Sequence, residues 1–87
     1  MKRNENYVVK ELMGEFVLVP IGEAAIDFNG VITLNETAKF MWEKAEGDFT
    51  SEDLEKALIE KYEIDSETAK KATESFINSL KEEGCIE

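Results

Sequence analysis

Residues 29–42 read NGVITLNETAKFMW. Asn29-Gly30 is the strongest short turn signal in the chain. VITL (31–34) is short and β-branched, and Asn35 is a residue type that caps helices. A strand therefore feeds a helix with no loop between them. The helix is predicted over residues 36–45, with Ala38, Phe40, Met41 and Ala45 on its apolar side. Trp42, the one tryptophan, lies beside them, and Gly47 ends the helix. A strand pinned by a turn at one end and a cap at the other offers an edge unless another strand covers it.

On the N-terminal side, YVVKEL (7–12) and EFVLVP (15–20) are rich in β-branched and aromatic residues, and Met13-Gly14 between them can turn the chain. They read as a hairpin. Phe16 and Leu18 point one way, Val17 and Val19 the other. Both faces are apolar, so helices are expected to cover one, and a partner or a second copy the other. Pro20 cannot donate to a ladder and should end the strand. IGEAAIDF (21–28) reads equally as a wide loop or a strand.

On the C-terminal side, Thr50 starts a second helix, and Glu52 and Asp53 suit its positive end. Leu54, Ala57, Leu58 and Tyr62 follow helical spacing. Asp65 or Ser66 caps a third helix, SETAKKATESFINSLKEEG, which stops at Gly84. Cys85-Ile86 is a candidate short extended tail. At about 100° per residue, Ala69, Ala72, Thr73, Phe76 and Leu80 share one side of the third helix. Ile77 falls at the edge of that side, with Lys70 and Lys81 just beyond it. That flank reads either as lysine stems lying over the core edge or as a groove wall.

Composition narrows the function. The 87 residues suffice for one small domain, residues 1–87, and not for two. A net charge of −10 repels phosphate backbones and disfavours nucleic acid. With no histidine and one cysteine, neither an ordinary zinc site nor a Ser/His/Asp arrangement can be built. No nucleotide-binding glycine motif is present, and no pair of carboxylates stands out, so an enzyme and a bound cofactor are not expected. The lone Cys85 fits a reducing cytoplasm and reads as a small apolar residue. The N-terminus lacks the apolar run of a signal peptide, and no stretch nears the ~20 apolar residues of a membrane span.

Two or three strands followed by three helices predict an α+β fold, winged helix-turn-helix-like, with a three-stranded antiparallel sheet. Such folds often bind DNA. Here Lys70, Lys71 and Lys81 are offset by Glu67, Glu74, Glu82 and Glu83, the wrong balance for a helix among phosphates. The other opportunity is the edge of VITL, whose backbone can accept an extended peptide.

The runs GEFVLVP, NGVITLNETAKFMWE, TSEDL…L…YEID and FINSLKEEGCI, in this order and spacing, resemble the PqqD-like proteins over nearly the whole chain. These are peptide chaperones of pyrroloquinoline quinone biosynthesis and their relatives, the recognition elements of pathways that modify ribosomally made peptides. The segment at residues 34–42 is the most specific part. The resemblance implies a non-catalytic domain that binds a precursor's leader peptide as an added strand and presents it to a modifying enzyme. In many pathways that enzyme is a radical S-adenosylmethionine protein with iron–sulfur clusters. Carried over by position, the strand is Val31, Ile32, Thr33 and Leu34, and the helix wall is Lys70, Thr73, Ile77 and Lys81. IGEAAIDFNG is longer than the turn of the quinone-pathway members, which favours another peptide pathway. The alternatives are a winged-helix regulator and a protein-interaction domain, monomeric or weakly dimeric through the apolar hairpin.

Overall fold

In the computed structural model the described residues are 1–22 and 32–87. β1 (Tyr7–Leu12) and β2 (Glu15–Pro20) form an antiparallel hairpin, and β3 (Ile32–Leu34) pairs antiparallel with β2, giving the order β1-β2-β3. α1 (Glu36–Lys44), α2 (Ser51–Tyr62) and α3 (Ser66–Glu82) follow. The architecture is the expected α+β arrangement. The Asn29-Gly30 turn, Val31 and most of the ambiguous 21–28 segment lie outside the described residues.

Local chemistry explains each junction. Met13 and Gly14 have φ of 51° and 82°, the left-handed pair that a two-residue hairpin turn requires. Asn35 accepts the Ala38 N–H at 2.7 Å and starts α1. Thr50 and Asp53 form a reciprocal capping box at α2, and Asp65 accepts from the Thr68 N–H at α3. Bonding from Thr68 to its carboxylate holds Asp65 below the usual carboxylate range.

The register pairs Val9 with Leu18 and Phe16 with Leu34, so these four share a face with Tyr7 and Ile32. That face packs on the helices through a cluster that includes Met41, Trp42, Leu54, Leu58, Phe76 and Leu80. Phe40, expected on the apolar side of α1, is only half-buried and meets Tyr62 edge-to-face. Trp42, expected beside that side, is 3% exposed. Val17, on the opposite sheet face, is also buried.

The chain ends are tied together. The N–H of Asn4 donates to Cys85 O at 2.7 Å, and the N–H of Glu87 donates to Lys2 O at 2.9 Å. Residues 2–4 thus run beside the predicted C-terminal tail. Cys85 is fully buried, and burial, with Glu83 nearby, pushes its thiol up to about 11. Among the described residues no helix is long and apolar enough to cross a membrane.

Candidate functional site

The hydrogen-bond phase of the sheet decides which strand groups are available. The Ile21 N–H donates to Asn6 O at 2.7 Å, which marks Asn6 and Ile21 as a bonded pair. Bonded and non-bonded pairs alternate along an antiparallel ladder. Val8–Val19, Lys10–Val17 and Leu12–Glu15 are then the bonded pairs of β1 and β2. The backbone groups of Phe16 and Leu18 turn the other way, toward Leu34 and Ile32. Thr33, opposite Val17, therefore points its N–H and C=O away from the sheet. Among the described residues no strand pairs with that outer side.

Beside this edge lies a cleft of about 290 Å³. Its strand side is Ile32, Thr33 and Leu34; its helix wall is Ala72, Ser75, Phe76, Ser79 and Leu80 from α3. The start of α1 closes one end with Asn35, Thr37, Ala38 and Met41. Among the described residues that line it none is charged, although 34% of the chain is. The floor is apolar, and the rim carries hydroxyl and amide groups. This volume sits at the lower limit of small-molecule sites, roughly 300 Å³, and the cleft opens along a strand. It suits side chains from an extended polypeptide better than a cofactor. Among the described residues no group of three His, Cys, Asp or Glu is placed to hold a metal ion.

A larger hollow of about 1020 Å³ lies near the β1 edge of the sheet, between residues 2–9 and the end of α1. Size alone would favour it. The cleft at β3 is set apart because it combines apolar walls with a strand edge whose outward groups no strand takes up among the described residues.

The sequence profile of coenzyme PQQ synthesis protein D (PqqD) matches residues 8–86. The chain belongs to the PqqD family. No curated protein sequence matches it significantly. A solved structure described as TbiB1 in complex with the TbiA(beta) leader peptide superposes with a TM-score of 0.77 at 20% identity. The match covers 100% of this chain and 95% of the other. This likeness establishes the shared fold.

Within this PqqD-family fold the predicted site residues separate into two groups. Ile32, Thr33 and Leu34 line the cleft, and Val31 lies outside the described residues. Lys70, Thr73, Ile77 and Lys81 do not line it. Thr73 and Ile77 are 0% and 7% exposed, inside the core, and the two lysines are exposed on the flank beyond them. The wall facing β3 is the opposite flank of α3. Periodicity locates the apolar arc of a helix, but it does not say which border of that arc abuts the sheet. The border that lines the cleft carries Ala72, Ser75 and Ser79, a row of small residues along an otherwise charged surface.

Proposed function

We propose that this chain is a non-catalytic adaptor that captures the leader of a ribosomally made precursor peptide by strand addition to β3. It then presents that peptide to a modifying enzyme, of the radical S-adenosylmethionine type. The observation that carries the reading is the outward backbone of Thr33 beside an uncharged, apolar-floored cleft. Membership of the PqqD family supports it, as does the likeness to a protein solved with a leader peptide.

The sheet phase sets the register. A peptide residue opposite Thr33 exchanges both backbone bonds with it, in an antiparallel pairing. That residue's side chain lies on the Thr33 face. Its two neighbours, opposite Ile32 and Leu34, turn toward Ala72, Phe76 and Leu80. The preferred leader segment therefore carries apolar residues at alternate positions, with a tolerant position between them. Backbone bonds supply general affinity and the cleft supplies selectivity.

The test is a titration of isotope-labelled protein with the leader encoded beside its gene. Amide shifts should concentrate on residues 32–38 and 72–80. Saturable binding that leaves Thr33 and Ser79 unmoved would refute the site, and no binding of any neighbouring precursor would refute the function.

A further inference from the structure

We propose that the outer edge of β1, with the hollow beside it, docks a basic extended segment of the enzyme that receives the bound peptide. The partner's identity rests on the adaptor reading; the site's geometry does not.

The alternation that turns Thr33 outward at one edge does the same at the other. Val9 and Glu11 fall in non-bonded pairs with Leu18 and Phe16, so their N–H and C=O groups face away from β2. Among the described residues no strand covers β1. The hollow of about 1020 Å³ meets the first half of this edge, at Tyr7–Val9, and the buried residues Tyr7 and Trp42 are part of its lining. It is large enough to receive a strand's side chains.

Charge commits the occupant. Glu5, Glu43, Glu46 and Glu87 line the hollow against Lys2 and Arg3. Arg3 is already engaged, donating to Trp42 O at 2.7 Å and lying over its ring. Excess carboxylate beside backbone groups that no described strand takes up selects a strand that carries cations. It disfavours a second copy of a chain with net charge −10. The β3 cleft lies at the opposite sheet edge, so peptide and enzyme segment can be held together.

The probe is a short synthetic peptide alternating valine and lysine, titrated into isotope-labelled protein, with a valine–glutamate peptide as control. The lysine peptide should shift the Val9 and Glu11 amides and the Trp42 indole, and leave Thr33 and Ser79 unmoved. Its affinity should fall roughly tenfold between about 50 and about 300 mM salt. The double variant Glu5→Lys/Glu46→Lys, both exposed positions, should weaken it by a further factor of roughly ten without altering leader binding at Thr33. Shifts scattered over the acidic helix surfaces, equal binding of the glutamate peptide, or unchanged affinity in the double variant would overturn the proposal. So would light scattering that shows a dimer whose formation shields Val9. Loss of leader shifts at Thr33 while the lysine peptide still moves Val9 would refute the adaptor reading alone.

Discussion

Arg3 grips Trp42 twice: its Nη1 donates to the Trp42 carbonyl oxygen at 2.7 Å, and its guanidinium carbon sits 5.2 Å from the ring centroid. The carbonyl belongs to the last turn of α1, where it also accepts a long 3.3 Å bond from the Ala45 N–H. One side chain thereby ties the N-terminal segment to the core. Arg3→Ala should lower stability by about 1–3 kcal/mol. Arg3→Lys should recover only part of it, since a lysine lacks the planar fork. Urea unfolding followed by the fluorescence of the single tryptophan measures both.

Thr33→Pro separates the two edges of β3. The Thr33 N–H faces outward, so removing it spares the β2–β3 ladder. The variant should stay folded by circular dichroism and lose leader binding by roughly tenfold or more, about 1.4 kcal/mol. Thr33→Val should bind normally, because Thr33 meets the cleft through its backbone and its side chain lies on the sheet face opposite to those of Ile32 and Leu34.

Which flank of α3 faces the proposed peptide can be settled by charge. Ser79→Glu puts a carboxylate into an uncharged cleft and should weaken leader binding roughly tenfold. Lys70→Glu and Lys81→Glu, outside the cleft, should change affinity less than about twofold at moderate salt. The reverse pattern in isothermal titration would move the site to the lysine flank.

Among the described residues Thr73 Oγ is buried with no hydrogen-bond partner. Thr73→Val keeps the shape and removes the unsatisfied hydroxyl. Since an unmet buried donor costs about 1–3 kcal/mol, the variant should be more stable by up to that amount. A lower melting temperature would show that the hydroxyl is satisfied in solution.

Alkaline stability should reflect Cys85. Its thiol rises from an ordinary 9.0 to about 11 in the fold, chiefly by burial. The unfolded chain loses this proton first, so the stabilisation is complete below about 9 and is lost as pH climbs toward 11. Tyr7, raised by burial and by Cys85 and Glu83, adds to the same decline. Cys85→Ala should flatten the profile between these limits in chemical denaturation. In the native protein Cys85 should resist alkylation until unfolding.

The hairpin, the caps at Asn35 and Thr50, the third helix's cap to within Asp65 or Ser66, and the order of strands and helices were legible in the sequence because each follows from a few adjacent residues. The candidate strand edge was legible for the same reason. The rotation of α3 was not. Ile77 and Ala72 border the same apolar arc, and only packing in three dimensions decides that Ile77 is buried while Ala72 borders the cleft. The placement of residues 2–4 against the tail at Cys85 was equally hidden. It is held mainly by backbone bonds between the two ends of the chain, with one side-chain bond from Asn4 to Gly84 O, and these leave no periodic side-chain pattern.

β2 spends its backbone alternately, Val17 and Val19 toward β1 and Phe16 and Leu18 toward β3. The two outer edges are therefore locked to a common frame. Strands added at both would lie four spacings apart, about 19 Å. The inherited twist would turn one against the other by roughly 80–100°. In that arrangement the sheet acts as a jig: it fixes both the distance and the angle at which a captured peptide meets whatever grips the far side.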